Sequence, residues 1–153
     1  MGLMSRTKGR RGESELAGLL ADLTGWTVRR RVRQHDGDSD IDGLPGWSVE
    51  VKRHASGRRA DIRTWWEQAE AQAKSAGLLP VLFFRLNRDD WRAVWPVGTL
   101  VEADPWTGYE WTIEGSLNAW ATIAREIDAA IGPQINLDRL YGAAPSEPRP
   151  PVN

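Results

Sequence analysis

The sequence predicts an α/β fold, a mixed β-sheet flanked by helices, and three observations predict it. Leu16, Leu19, Leu20 and Leu23 form a stripe at helical spacing. "WSVEVKR", from Trp47, alternates apolar and polar residues with the period of a half-buried strand. "LPVLFFRL", from Leu79, is an unbroken apolar run with a proline at its head, as in a central strand covered on both faces.

Residues 1–7 read as a flexible arm, and the leucine stripe as a helix over Lys8–Thr24, closed by Gly25 as a C-terminal cap. "WTVRRRV" opens on aromatic and β-branched residues and predicts a strand, with "QHDGDSD" as a polar turn region. Ile41 to Gly46 reads as a short extended piece with a turn rich in glycine and proline. After the loop "SGRR", a second helix is expected from about Ala60 to Ala76, with Ile62, Trp65, Trp66, Ala69, Ala73 and Ala76 as its apolar stripe. "NRDD" then turns the chain into "WRAVWPV", an antiparallel partner for the central strand.

Beyond Val97 the expectation is a hairpin in "DPWTGYEWTI" and an amphipathic helix capped by Ser116, with Leu117, Trp120, Ile123, Ala124 and Ile127 on one face. "PSEPRPP" reads as a disordered tail. The expected division is a core over 1–97, a C-terminal extension over 98–142 and a tail over 143–153.

The 153 residues include no cysteine, which excludes a disulfide framework and thiolate metal sites and fits a reducing cytosol. No run approaches the roughly 18 apolar residues of a membrane span, no signal-peptide segment is expected, and Arg6 breaks a myristoylation pattern. A cytoplasmic protein without a membrane partner is expected. The net charge of −1 hides an asymmetry: residues 1–63 carry 13 Lys/Arg against 9 Asp/Glu, and residues 64–153 carry 7 against 12. Basic clusters in "RTKGRRG", "RRRVR" and "KRHASGRR" suit a phosphate backbone, although a solvated surface would read the same way.

Alternation in "WSVEVKR" sends Trp47, Val49 and Val51 one way and Ser48, Glu50 and Lys52 the other. An exposed strand with an ordinary Glu–Lys pair would look the same. Just upstream, however, "DSDID" supplies Asp40 and Asp42, and the turn after them can fold one acid back beside Glu50. Carboxylates brought together repel unless a cation lies between them. Hard oxygen donors favour a divalent cation such as Mg²⁺, which takes one or two carboxylates plus waters and substrate phosphate. Lys52 is suited to orient or deprotonate the attacking water, or to neutralise charge on phosphate. Glu13 shares a helical row with Leu16 and Leu20, so it flanks the apolar face and calls for a partner or a metal.

"KGRRGESELAGLL", "GWTVRR", "SDIDG" and "SVEVKR", in this order, resemble the PD-(D/E)xK nuclease superfamily, and most closely archaeal-type Holliday junction resolvases and their phage relatives. The resemblance covers about Lys8 to Val97 and implies a restriction-endonuclease-like fold. It implies a metal site of Glu13, Asp40, Glu50 and the Val51 carbonyl, with Lys52 beside the attacking water and Gln68 supporting the site from the second helix. Arg29 would contact DNA or neutralise phosphate. Ser39 stands where the motif's name has proline, and Asp42 competes with Asp40 as ligand. The activity implied is Mg²⁺-dependent hydrolysis of DNA phosphodiesters leaving a 5′-phosphate, with Mn²⁺ able to substitute, by a homodimer acting on four-way junctions in the cytoplasm (the host's, for a phage protein). Lys8, Arg10, Arg11, Arg29, Arg30, Arg31, Arg33, Arg53, Arg58 and Arg59 would hold the DNA.

Other substrates of the same chemistry (flaps, ends, damaged duplex), a binding module without catalysis, and a metal-free glycoside-type hydrolase remain alternatives from the residues alone. His35 and His54 read as surface or DNA contacts. Trp47, Trp65 and Trp66 read as core, whereas Trp91, Trp95, Trp106 and Trp111 read as more open, for stacking or an interface.

Overall fold

The computed structural model describes residues 2–32, 39–101 and 108–131, with side chains described from residue 9 to residue 130. Helix α1 (Gly2–Thr24) leads through a short antiparallel ribbon, β1 (Arg29–Arg30) and β2 (Ile41–Asp42), into strand β3 (Trp47–Arg53). Helix α2 (Arg59–Ala76), β4 (Leu79–Arg85), β5 (Arg92–Pro96), β6 (Thr112–Ser116) and α3 (Leu117–Ile131) follow. The main sheet has four strands in the order β3-β4-β5-β6. Strands β3 and β4 are parallel and need the crossover that α2 supplies, while the later neighbours are antiparallel. This is the mixed α/β architecture expected.

Alternation distributes the core over both faces. Trp47, Val49, Val81, Phe83, Ala93 and Trp95 meet Leu16 and Leu20 of α1 and Leu117, Trp120 and Ala124 of α3. The Trp120 ring stands edge-on to Trp47 and Phe83, with centroids 5.2 and 4.9 Å away. On the opposite face Leu82, Phe84 and Val94 meet Trp65, Trp66 and Ala69 of α2. Ser48, Glu50 and Lys52 lie in register with Pro80, Leu82 and Phe84, and so share the α2 face.

Several expectations need correction. The first helix begins at Gly2, so residues 2–7 belong to it and are not an arm. Leu3, Met4, Arg6 and Lys8 are good helix formers, and extending an existing helix is cheap compared with nucleating one. The strand expected in "WTVRRRV" is only two residues long. The segment after Val97 is no appendage to a finished core: β6 pairs with β5, and Trp120 is fully buried in the main cluster. Strand β6 therefore extends the main sheet, while residues 104–107 of the expected hairpin lie outside the described residues. Trp91 and Trp95 are buried too, leaving Trp111 half exposed. The side chain of Lys8, and Arg33, His35, Trp106 and the tail 143–153, lie outside the described residues.

Two glycines bring the site's elements together. At Gly43, φ is +101° and a Cβ would lie 2.0 Å from the Thr27 carbonyl oxygen, so only glycine lets the ribbon close. Gly12 is buried on α1 where a Cβ would stand 3.1 Å from Arg53 Cβ on β3. Alanine in a helix ordinarily stabilises by about 1 kcal/mol over glycine. Here its methyl meets an atom fixed to a strand backbone, so Gly12→Ala is expected to lower stability by about 1 kcal/mol, read as a fall in urea midpoint at constant m. A raised midpoint would show that α1 can withdraw from β3 freely.

Candidate active site

The turn after β2 is built by its sequence. Pro45 and Gly46 occupy its central positions, Gly46 has φ +82°, and the Trp47 N–H donates to the Leu44 carbonyl at 3.1 Å. That is the type II pattern, which favours proline followed by glycine. It folds Ser39 and Asp40 back along the outer edge of β3, the edge away from β4.

There Asp40 bridges two elements. Its N–H donates to the Val49 carbonyl at 2.9 Å, and its Oδ2 accepts the Val51 N–H at 2.7 Å. The N–H and C=O of one strand residue project from the same edge, so the Val51 carbonyl faces the side on which Asp40 lies. Glu50, next along β3, accepts an ion pair from Lys52 Nζ at 2.9 Å. From α1, Glu13 meets Arg30 Nη1 at 3.7 Å.

The acids act on one another's charge. Desolvation, and then the charge of Glu50, push the Asp40 carboxyl up to about 7, with Glu13 adding to the rise and the Val51 N–H and Lys52 opposing it. Burial raises Glu13 as well, against Arg30 and Arg10, with Glu50 contributing to the increase. Each acid thus destabilises the charge of a neighbour, as expected where a cation is to be held.

The sequence-predicted residues are not all gathered. Glu13, Asp40, Glu50 and Lys52 act on one another electrostatically. Among the described residues, however, no three His, Cys, Asp or Glu side chains converge as a metal cage. Asp42, the competing ligand, is instead half exposed and paired with Arg31 at 2.6 Å. Gln68 is exposed on α2, and it is Gln72, one turn later, whose Nε2 reaches Ser48 Oγ at 3.2 Å and the Val49 carbonyl at 3.4 Å. At about 100° per residue, Gln68 lies roughly 40° further from the buried Trp65–Ala69–Ala73 stripe than Gln72, which the helical phase alone could have indicated. Arg29 is exposed, and the arginine beside Glu13 is Arg30, since neighbouring strand residues face opposite ways.

Of the expected DNA contacts, Arg10, Arg11, Arg29, Arg58 and Arg59 are exposed. Arg53 is engaged within the fold, its Nη1 donating to the carbonyls of His54 and Arg85 and to Asn87 Oδ1. His54 is exposed with its ring stacked on Trp65 at 4.7 Å.

The donor set fits a hard divalent cation. Asp40 and Glu50 are two mutually repelling carboxylates on one strand edge, and the Val51 carbonyl is a third oxygen on that side. Two carboxylates plus water satisfy Mg²⁺ without a closed protein cage.

Comparison with known proteins agrees with the chemistry. No curated protein sequence matches the chain significantly. Among solved structures, the Holliday junction resolvase Hjc of the archaeal hyperthermophile Archaeoglobus fulgidus is similar at 20% identity and a TM-score of 0.44, over 76% of this chain and 95% of that one. No helix among the described residues is long and apolar enough to cross a membrane. The family described as "Phage putative PDDEXK endonuclease", whose members typically act on DNA with a divalent metal, matches residues 4–114. With most of its length covered by that match, and an acid–x–lysine strand beside a partly buried aspartate within it, the chain belongs to this phage endonuclease family.

Proposed function

We propose that the protein is a Mg²⁺-dependent DNA endonuclease that cuts four-way junctions as a homodimer in the host cytoplasm, with Mn²⁺ able to replace Mg²⁺. The observation that carries the metal-dependent reading is Asp40, bonded to the Val51 N–H on the edge of β3 and raised to about 7 by desolvation and by the charge of Glu50. A binding module has no use for costly paired acids where phosphates must approach. Asp40, Glu50 and the Val51 carbonyl would hold the cation, with Glu13 behind them reaching it through water. When bound, the cation supplies Lewis acidity toward the phosphate and lowers the pKa of the nucleophilic water.

The chain's own residues do the rest. Glu50 fixes the Lys52 ammonium at 2.9 Å, which keeps a proton donor at the strand edge where the phosphate arrives. There Lys52 orients the attacking water and offsets charge developing on the phosphate. The exposed arginines of α1, the ribbon and the α2 entrance neutralise the flanking phosphates. The likeness of the ordered motifs to junction resolvases supports the choice of a four-way junction. Symmetric cuts across such a junction call for two sites related by a two-fold axis, the commonest oligomer symmetry.

The test is cleavage of a synthetic four-way junction beside linear duplex and a flap, with Mg²⁺ or EDTA. Wild type is expected to cut the junction preferentially and only with metal. Lys52→Ala is expected to lose about 100- to 1,000-fold in rate with little change in DNA affinity. Equal cutting of all three substrates would remove the junction assignment, and activity in EDTA would remove the metal.

A further inference from the structure

The outer edge of β3 lacks a regular ladder where the site lies, and side chains replace it. The Val49 N–H donates to Ser39 Oγ at 3.1 Å, while the Val49 carbonyl takes both the Asp40 N–H and Gln72 Nε2. Two residues on, the Val51 N–H is taken by the Asp40 carboxylate. The Ser39 hydroxyl also donates to Ser48 Oγ at 3.4 Å, and Ser48, only 1% exposed, accepts from Gln72 on the opposite element. A continuous polar chain thus runs from α2 through Ser48 to Ser39, the residue before Asp40. The strand residue that it grips at both its N–H and its carbonyl, Val49, immediately precedes Glu50.

We propose that Ser39, Ser48 and Gln72 form a positioning clamp that sets the separation of Asp40 and Glu50, and so the affinity of the site for its cation. The inference rests on the metal-site reading above and extends it to groups that touch neither cation nor DNA. Three features favour positioning over plain structural support. The clamp ties the Val49 backbone, next to Glu50, to Ser39, the residue before Asp40. Those carboxylates repel, so they separate unless the Asp40 segment is held against β3. The Ser39 hydroxyl occupies a place where the strand would otherwise have a main-chain acceptor, so its removal loosens the segment, leaving Asp40's own bonds to Val49 and Val51 to hold it, without opening the core. Groups that orient metal ligands commonly change affinity by about 10- to 100-fold when removed.

Tryptophan-sensitised Tb³⁺ luminescence reads the site without DNA or turnover, Tb³⁺ being a hard cation bound by the same oxygen donors. Ser39→Ala and Gln72→Ala are each expected to weaken Tb³⁺ binding by about 10- to 100-fold, and to raise the Mg²⁺ concentration for half-maximal cleavage by a similar factor. DNA affinity in EDTA should stay within about twofold. Ser39→Thr keeps the hydroxyl and should restore Tb³⁺ binding to within about threefold of wild type, which distinguishes positioning from a general loss of stability. Wild-type Tb³⁺ affinity in Ser39→Ala, or failure of threonine to restore it, overturns the clamp. Glu50→Ala separates the two readings: if wild type binds Tb³⁺ no better than Glu50→Ala, the metal site itself is wrong and the clamp falls with it. If Glu50→Ala alone loses binding, only the clamp fails.

Discussion

Glu50→Ala is expected to reduce cleavage by at least about 1,000-fold while leaving DNA binding in Ca²⁺ within a few-fold of wild type. The size of the loss follows from two functions resting on one side chain. Glu50 is a candidate cation ligand beside Asp40, and it is also the partner that holds Lys52 Nζ at 2.9 Å. Removing it takes away negative charge near phosphate, so affinity should not fall for electrostatic reasons. Removing a group that acts chiefly in the transition state lowers kcat and kcat/KM together. Single-turnover cleavage alongside a binding titration would check this. Turnover within tenfold of wild type would mean that the reaction is carried elsewhere in the fold.

Glu50→Gln sharpens the reading because it keeps the shape of the side chain. The amide can still accept from Lys52, but it no longer repels Asp40 or binds a cation strongly. If Glu50 served only to place Lys52, the glutamine variant would retain most activity. On the metal reading it fails nearly as badly as alanine.

The parts of this site that the sequence showed are those written as local periodicity. Period-two alternation from Trp47 placed Glu50 and Lys52 on one face, and the turn residues Pro45 and Gly46 explained how an acid comes back to them. Choosing between Asp40 and Asp42 needed coordinates, because both stand near the same turn. The backbone pairing of Asp40 with Val49 decides which one faces the edge, and no pattern of residue types encodes that hydrogen bond. Gln68 and Gln72 differ only in helical phase, and it is Gln72 that reaches Ser48 and Val49 on β3.

What the C-terminal segment covers was not legible for a different reason. Leu117, Trp120 and Ala124 make an apolar face, but periodicity does not say what a face will cover. Here it closes the side of the sheet on which α1 leaves space, which buries Trp95 and Trp120 and makes α3 part of the core. The basic residues carry a similar lesson. Arg53 and Arg58 look alike in "KRHASGRR", yet one is engaged by the carbonyls of His54 and Arg85 and the other is exposed.

Asp40→Asn should abolish cleavage and yet make the metal-free protein more stable at pH 8. The sign follows from linkage. The carboxyl has an ordinary value of 3.8 and is raised to about 7 in the fold. Below the lower value both states are protonated and the group contributes nothing. As pH rises from about 4 to about 7, the unfolded chain loses its proton while the folded one keeps it, so stability falls throughout that window. Above it the full cost of carrying a buried charge is present and no longer changes. Conversion at 1.36 kcal/mol per pH unit gives an upper bound near 4 kcal/mol, and partial hydration of Asp40 reduces this to about 1–3 kcal/mol. Asparagine keeps an oxygen for the Val51 N–H and removes the charge. In EDTA its Tm should exceed that of wild type by several degrees at pH 8, with the difference shrinking toward pH 4. Mg²⁺ should reverse the order, because a ligand that binds only the folded state stabilises wild type and finds no second carboxylate in the variant. A variant less stable than wild type at pH 8 in EDTA would show that Asp40 is held by the fold for its own sake, and the strained pair of acids would lose its claim to be a metal site.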